Sequence, residues 1–406
     1  MEFYKEKIGD LKLRASYGIL GSQAIGTYDR FTVYDVYDNS YAYNNKTVSG
    51  AGFKLGLENL TWEKTQTFNI GVDASFLQNS LTVTFDYFHK RTNDILMKPL
   101  ISSVFGTEMP MANIGKMQNQ GWDLSVNYRL KTGAFTHNFN FNLGDSWNKV
   151  LEFPGDEQIT QVEELSRIIR VGVPLNSYYG YKMAGFFQSY DEIEASAIPV
   201  GAKVQPGDIK FVDRNDDGII DSKDKFILGN AFPRYTFGFT YGLNWKGIDF
   251  SMFWQGVGKR DMMLRGELIE PYHANYSYTI YKHQLDFWTP TNTEACWPRL
   301  AAPGSDSNRN NYGNGNGSDL FLLDGKYLRL KNLTIGYTLP KEWTKHLGMQ
   351  KARLYINGQN LLTFSNNSFI DPESSEFDSK MSTSGANSGR SYPTLRYFGF
   401  GVDIEF

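Results

Sequence analysis

The sequence predicts an all-β fold: an antiparallel, up-and-down transmembrane β-barrel segment of about ten strands with long extracellular loops. Apolar and polar residues alternate along separate stretches of the chain, which is the period of a strand with one apolar face. Aromatic residues make up 15% of the chain and Gly numbers 39, a bias that suits strands and turns better than helices. The connections between the stretches also alternate in length.

Each predicted strand has one apolar face and one small or polar face. In the last one, Phe398, Phe400 and Val402 alternate with Gly399 and Gly401. A slip of phase inside the eighth stretch, near position 332, predicts a β-bulge. One short helical turn is predicted over 340–348, because Pro opens that segment and Gly closes it. The ten stretches are 11–19, 62–77, 81–87, 122–130, 135–143, 235–245, 248–254, 327–339, 352–356 and 398–406.

The connections are sorted by length along the chain. The short ones are 78–80, 131–134, 246–247 and 340–350. The long ones are 21–61, 93–118, 150–232, 257–325 and 363–391. A soluble sandwich has no reason to sort its loops in this way, whereas a membrane barrel has short periplasmic turns and long outer loops. The apolar faces would then meet lipid, the opposite faces would line a hydrated lumen, and the final strand would run to the periplasmic rim.

Bulk composition excludes several classes of protein. The net charge is −3 without a dense Lys/Arg block, so nucleic acid is not an expected partner. No apolar run approaches the ~18–20 residues of a spanning helix. Cys296 is the single cysteine, so a disulfide framework is excluded. The five His are scattered, and no nucleophile motif occurs, so we expect no enzyme and no catalytic residue.

Several short motifs together carry a family resemblance. They are 11–18 (LKLRASYG), 59–64 (NLTWEK), 68–73 (FNIGVD), 119–122 (NQGW), 179–182 (YGYK), 185–188 (GFFQ), 206–210 (PGDIK), 327–333 (YLRLKNL), 336–340 (GYTLP), 360–363 (NLLT), 371–373 (DPE) and the aromatic C-terminus. Each motif is weak alone, but their order over nearly the whole chain is specific. The chain resembles the C-terminal barrel part of SusC/RagA-like TonB-dependent outer-membrane transporters of the Bacteroidetes type.

The resemblance implies a nutrient importer in the cell outer membrane, embedded in outer-membrane lipid. It implies a barrel of about 22 strands with a plug folded inside. It further implies uptake of oligosaccharides (glycans) or peptides, a SusD-like surface lipoprotein as partner, and TonB for energy. Only about ten strands are present, and an isolated piece would leave open edges. We therefore interpret residues 1–406 as the C-terminal portion of the barrel, with the plug domain, the signal peptide and the TonB-contacting region absent from this chain.

A twelve-residue acidic stretch, 213–224, has the oxygen spacing of a calcium loop. Gly218 stands at loop position 6, where a sharp turn needs it. The last ligand position holds Asp instead of the usual Glu, and the chain before the loop looks extended, so this is an EF-hand-like loop without flanking helices. We expect Ca²⁺ to stiffen a long outer loop; the alternative is a solvated turn held by Asx hydrogen bonds. The predicted ligands are Asp213, Asn215, Asp217, Ile219 through its carbonyl, Asp221 and Asp224.

Other features leave alternatives open. An aromatic group in the 257–325 connection either stacks on a sugar or a partner, or packs the loop on itself: Tyr272, Tyr276, Tyr278, Tyr281, Trp288 and Trp297. The Asn- and Gly-rich segment 306–317 is predicted to be mobile. The predicted lumen residues have mixed charge and point to no substrate class: Lys12, Arg14, Asp73, Asp123, Arg129 and Arg353. Two other functions remain possible, a ten-stranded omptin-like outer-membrane hydrolase and a soluble calcium-dependent carbohydrate-binding β-sandwich.

Overall fold

The structure is a computed structural model. It describes residues 8–23, 25–26, 28–57, 59–99, 104, 109–155, 157–162, 165–273, 279–313, 316–346, 348–373, 386–387 and 392–406. The strands are β1 (Ile8–Ser22), β2 (Val33–Tyr43), β3 (Lys46–Lys54), β4 (Glu63–Phe76), β5 (Leu81–Met97), β6 (Ala112–Thr132), β7 (Phe135–Glu152), β8 (Glu157–Val162), β9 (Leu165–Arg170), β10 (Ser177–Gly180), β11 (Met183–Phe186), β12 (Ile198–Pro199), β13 (Ile209–Phe211), β14 (Ile219–Ile220), β15 (Phe226–Gly229), β16 (Arg234–Trp245), β17 (Ile248–Lys259), β18 (Asp261–Leu264), β19 (Leu322–Asp324), β20 (Tyr327–Thr338), β21 (Lys351–Ser365), β22 (Ala386–Asn387) and β23 (Tyr397–Glu405).

Helices are few and short. They are α1 (Tyr190–Glu194), α2 (Asp306–Tyr312) and α3 (Lys341–Lys345), with 3₁₀ turns at Ser222–Asp224, Gly266–Leu268, Lys282–Leu285 and Asp319–Phe321. The helix α3 follows Pro340 and lies before Gly348, as the sequence predicts. No helix in the described part of the chain is long and apolar enough to cross a membrane.

Ten strands form one antiparallel sheet, which we call the wall. Its order is β1-β4-β5-β6-β7-β16-β17-β20-β21-β23, and each member corresponds to one of the ten predicted strands. The wall confirms the predicted all-β architecture and excludes the sandwich, because the ten strands lie in a single sheet. β1 and β23 are its two edges and are not paired with each other in the described ranges. The omptin-like alternative needs that pairing to close a ten-stranded barrel.

Strand register places the two kinds of side chain on opposite faces of the wall. Phe68, Ile70 and Val72 share one face with the apolar residues of the neighbouring strands. Many residues on this apolar face are exposed, Phe398 and Phe400 by 75% and 72%. The polar face carries the predicted lumen residues, since Lys12 pairs with Asp73 and Asp123 and Arg129 pair with Gly144 and Asn138. We call the two faces the apolar face and the inner face.

The wall differs from the sequence prediction at the end that carries the long connections, which we call its outer end. The connection predicted over 93–118 is shorter, because β5 continues to Met97 and β6 begins at Ala112. These extensions pair polar and apolar residues without strict alternation and include register shifts, so the periodic pattern does not reveal them. The 21–61 connection contains the hairpin β2–β3, with positive φ at Asn44 and Asn45 as a tight turn requires. The predicted bulge is confirmed at Lys331, where the pairing of β20 with both neighbours shifts.

The two longest connections fold into a compact unit, which we call the outer domain: the described parts of 153–233 and 260–326. It contains small sheets of order β15-β10-β9-β8, β11-β13 and β12-β14, and the pair β19-β18, to which β22 of the last long connection adds a third strand. Its apolar side chains are buried in three clusters, around Ile209, Tyr178 and Phe321. The predicted long excursions are therefore folded structure positioned at one end of the wall.

Candidate functional site

The inner face of the wall is crossed by ion pairs between neighbouring strands. Arg14 lies 2.7 Å from Asp73 and 2.8 Å from Asp86, and so links β1 to β4 and β5. Arg353 makes the same kind of link, 2.6 Å from Asp249 on β17 and 2.9 Å from Asp403 on β23. These side chains are partly solvated, so each pair contributes little stability. Their effect is to give the inner face fixed charges of both signs.

A recess of about 450 Å³ lies on this inner face, over the middle strands of the wall. Carboxylate, hydroxyl and amide groups line it, including Asp123, Ser125, Asn142, Thr236 and Gln255. Gly144 leaves room for the Asp123 carboxylate, since a Cβ at that position would collide with its Oδ1. The recess therefore offers both donors and acceptors to a polar molecule.

A second recess, of about 720 Å³, lies where the wall meets the outer domain. Its lining combines the aromatic residues Phe88, Trp147 and Phe232 with polar groups such as Asn119 and Lys90. Aromatic faces beside amides suit flat, partly apolar molecules with polar edges, a description that fits sugar rings and peptide groups alike. No substrate residue could be predicted from the sequence, and the two recesses are the candidate substrate sites that the tertiary structure adds.

The outer domain is joined by a buried polar network between its two halves. Asp208 is fully buried and accepts hydrogen bonds from Ser307 Oγ at 2.8 Å and from Asn311 Nδ2 at 3.2 Å. Asn311 Oδ1 accepts from the Ile209 N–H at 2.8 Å, so helix α2 is bonded to the start of β13. Burial raises the pKa of Asp208, although these hydrogen bonds oppose the rise. The motif at 206–210 is thus a junction between two segments about 100 residues apart.

The prediction that 306–317 is mobile is wrong for its described part. Residues 306–312 form α2, begun by the Ser305 side chain, which accepts from the Asn308 N–H. Asn308, Asn310 and Asn311 are buried by 94% or more, and the Nδ2 groups of Asn308 and Asn310 donate to the Glu270 carboxylate and to the Ile209 carbonyl. Composition alone indicated a solvated loop, since Asn is rarely buried without such partners.

Two further motifs meet at the outer end of the wall. The Arg329 guanidinium, 4% exposed, lies 2.6 Å from Asp371 and 2.7 Å from Glu373. Lys331 lies 2.9 Å from Glu373 and completes the cluster. Burial tends to raise the pKa of Asp371, but hydrogen bonds from Arg329 and Thr394 outweigh it and hold that pKa at about 2. The cluster therefore anchors the last long connection to β20, a role that the motifs did not reveal in the sequence.

The predicted calcium ligands lie together in one loop at the edge of the outer domain. The carboxylate of Asp213 accepts from the Gly218 N–H at 2.8 Å through Oδ2, while its buried Oδ1 has no hydrogen-bond partner in the described residues. Both oxygens of the fully buried Asp224 accept backbone N–H groups, from Arg214 at 2.9 Å and Asp221 at 2.8 Å.

The remaining predicted ligands take part in the loop's own hydrogen bonds. Asp217 Oδ1 accepts from the Ile219 N–H at 3.1 Å, and Asn215 donates to Asp217 Oδ2 at 2.8 Å. Lys223 Nζ lies 3.6 Å from Asp221. Within the described ranges, no group of three or more His, Cys, Asp or Glu side chains is arranged to hold a metal. A cation would have to replace bonds within the loop, and calcium binding stays a prediction.

The aromatic residues of the 257–325 connection differ in burial. Trp288 and Trp297 are each 7% exposed and belong to apolar clusters, so these two pack the loop on itself. Tyr281 is 36% exposed and stacks near His283 at 6.0 Å between ring centres. Tyr276 and Tyr278 lie outside the described residues.

Comparison with known proteins agrees with this architecture. The family described as "TonB dependent receptor-like, beta-barrel" matches residues 7–361. TonB-dependent receptor P3 of Formosa agariphila is 31% identical over 97% of this chain and 39% of the relative. TonB-dependent receptor SusC of Bacteroides thetaiotaomicron is 29% identical over 98% of this chain and 38% of the relative.

A solved structure described as the RagAB peptide transporter shares the fold. It has a TM-score of 0.73 at 23% identity, over 98% of this chain and 41% of that chain. The chain thus spans about two fifths of the length of these relatives. Ten wall strands and the outer domain correspond to a part of a larger barrel. The chain belongs to the TonB-dependent receptor β-barrel family and is SusC/RagA-like within it.

Proposed function

We propose that this chain forms the C-terminal part of the wall of an outer-membrane importer for oligosaccharides or peptides. The observation that carries the proposal is the two-faced wall: exposed apolar side chains on one face and polar recesses on the other. A wall of this kind is stable when lipid covers the apolar face and water fills the space beside the inner face. The outer domain then lies above the membrane, where it meets substrate first.

The inner face supports passage of a polar substrate rather than its chemical conversion. Several of its charges are paired across strands, as in Arg14–Asp73 and Arg353–Asp249, so the field along it is of mixed sign. The two recesses offer amide, hydroxyl, carboxylate and aromatic contacts, each weak alone. Several weak contacts suit a transported molecule, which must be bound and then released.

The proposal includes TonB as the source of energy and a SusD-like lipoprotein as a partner. Relatives bear the names TonB-dependent receptor and SusC, and a solved structure of the same fold is described as a RagAB peptide transporter. We infer that TonB energises this importer through a region outside the described wall. A SusD-like lipoprotein would cover the outer domain, which is the part that faces the cell exterior.

Deletion of the gene in its natural host tests the proposal. Cells would be supplied with labelled oligosaccharide pools or labelled peptide pools, and uptake measured with and without the gene and with TonB inactivated. We expect loss of uptake of one pool in both mutant strains, and the receptor in the outer-membrane fraction together with a surface lipoprotein. Unchanged uptake of both pools, or a receptor in the soluble fraction, would contradict the proposal.

A further inference from the structure

Four wall strands continue outward past the apolar band without a change of register. Phe68, His89, Gln120 and Trp147 form one cross-strand row, and Gln66, Arg91, Gln118 and Lys149 form the next row outward. We propose that this second row, which we call the cation row, binds the phosphate of a lipid headgroup in the outer leaflet. The inference rests on the proposed location of the wall in the outer membrane.

The side chains of the cation row point to the apolar face. Alternate residues share one face of a strand, so Arg91 lies on the same face as Phe85 and Tyr87, and Lys149 on the same face as Phe141. The pairing of β4 to β7 runs unbroken between the apolar residues and this row. The row is therefore directed at the surroundings of the barrel.

The row also lies at the depth of the headgroups. Arg91 is ten residues beyond Leu81, where β5 begins, which corresponds to about 33 Å along the strand. At a strand tilt of about 40°, that length spans a height of about 25 Å, the thickness of the apolar band of a barrel. Long basic side chains at this level reach the polar interface readily.

Charge balance distinguishes this row from the basic residues around it. Lys64 lies 3.6 Å from Asp94 and Lys116 lies 2.7 Å from Glu152, so both of these neighbours are paired. Arg91 donates from Nε to the Asn93 amide oxygen at 3.1 Å, and in the described part of the chain neither Arg91 nor Lys149 has a carboxylate within 4 Å. Both side chains are exposed. The row thus presents two uncompensated cations.

The geometry of the row suits a phosphate group. β5 and β7 are two strand spacings apart, so the backbones at Arg91 and Lys149 are separated by about 10 Å. Side chains of this length can approach one phosphate from both sides, with the Gln118 amide between them. A guanidinium offers paired N–H donors that match phosphate oxygens, and charge-assisted bonds of this kind are strong.

The neighbouring Lys90 provides a matched control. It is an exposed cation one residue away from Arg91 on the same strand, but it lies on the inner face and lines the larger recess. Removing its charge changes the net charge of β5 as much as removing that of Arg91. It leaves the lipid-facing row intact.

Binding of lipid by the full-length receptor, purified from outer membranes and stripped of lipid, tests the inference. Native mass spectrometry would measure affinity for diphosphoryl lipid A, for lipid A without phosphates, and for inorganic phosphate. The variants are the double substitution Arg91→Gln with Lys149→Gln, the conservative Arg91→Lys, and Lys90→Gln. Heat-modifiable gel mobility shows whether each variant is folded.

We expect Lys90→Gln to bind diphosphoryl lipid A as the wild type does, and the double variant to bind it at least about tenfold more weakly. Arg91→Lys should bind with an affinity between these two, because it keeps the charge but loses the paired N–H donors. Lipid A without phosphates should bind the wild type about as weakly as diphosphoryl lipid A binds the double variant. Equal affinity of the folded double variant overturns the inference, as does equal binding of the two lipids. Inorganic phosphate that displaces the lipid at equal concentration would assign the row to free anions and overturn the lipid assignment. A receptor absent from the outer membrane refutes the proposed function instead.

Discussion

The wall and the outer domain place the same kinds of residue in opposite environments. In the wall, Leu13, Phe398 and Phe400 are exposed by 72% or more, whereas in the outer domain Ile168 and Met262 are completely buried. Polar residues are reversed as well, since the outer domain buries a network of carboxylate and amide side chains. At its proposed location in a membrane, the wall is stabilised by strand pairing and by the surrounding lipid, whereas the outer domain is stabilised by its own core. The same kind of substitution should therefore change the stability of the two regions by different amounts.

The largest effect is expected where the last long connection is anchored to the wall. Arg329→Ala should destabilise the outer end of the wall by about 3–5 kcal/mol, because the Asp371 carboxylate would stay buried without its charged partner and Glu373 would keep only Lys331. Hydrogen exchange of residues 366–373 measures the opening. Lys331→Ala is the control, and should cost less than about 1 kcal/mol since that side chain is partly solvated. Equal exchange in both variants would show that the cluster does not anchor the connection.

A charge on the apolar face should have the next largest effect. Val126→Arg places a cation near the middle of the apolar band and should cost about 2–4 kcal/mol. Ser125→Arg is its control on the inner face of the same strand and should be nearly neutral, because it lies beside a polar recess. Denaturant unfolding of the receptor in lipid vesicles compares the two. If both variants lose the same stability, the two faces do not differ in solvent.

The buried network of the outer domain should respond more moderately. Asp208→Ala leaves the Ser307 hydroxyl, the Asn311 amide and the Gln205 N–H without their acceptor, at a cost of about 1–3 kcal/mol. Asp208→Asn keeps one acceptor oxygen and should be milder. Limited proteolysis within 205–211 and 305–313 reports the loss. A response confined to one segment would show that the network does not couple them.

Low pH should affect the Asp371 cluster and the Asp208 network differently, with smaller changes in stability than the substitutions above. The folded pKa of Asp371 is about 2, below the unfolded value of about 3.9, so its stabilising contribution is present above pH 4 and is lost as the pH falls toward 2. Burial raises the pKa of Asp208, so protonation there favours the folded state. Hydrogen exchange at about pH 2.5 should therefore increase at 366–373 before it increases at 205–211. The reverse order would contradict both assignments.

The smallest expected effect concerns the predicted calcium loop. If Ca²⁺ binds, it should slow proteolysis of 213–224 by a few-fold relative to chelator, and Asp213→Ala with Asp217→Ala should abolish the difference. Asp216→Asn is the control, because position 4 of the loop supplies no predicted ligand. Identical cleavage with and without Ca²⁺ in all three proteins would leave the loop a hydrogen-bonded turn, as its internal contacts already permit.

Prediction from sequence succeeded where a local period carries the information. Ten strands, their faces, the bulge beside Asn332 and the helix after Pro340 follow from alternation and from turn residues. It failed where polar groups find distant partners. The composition of 306–312 is that of a loop, yet the segment is a buried helix in which Asn308 and Asn310 donate to acceptors 38 and 101 positions away.

The wall can be predicted from local sequence, since a period of two residues assigns each side chain to a face whatever the rest of the chain does. The roles of the motifs depend on contacts between distant parts of the chain. The tertiary structure brought Arg329 to Asp371 and Asp208 to Asn311, and it aligned Arg91 with Lys149 across β6. The physical reason is that hydrogen bonds and ion pairs depend on distance in space, and long connections place residues far apart in sequence within a few ångströms.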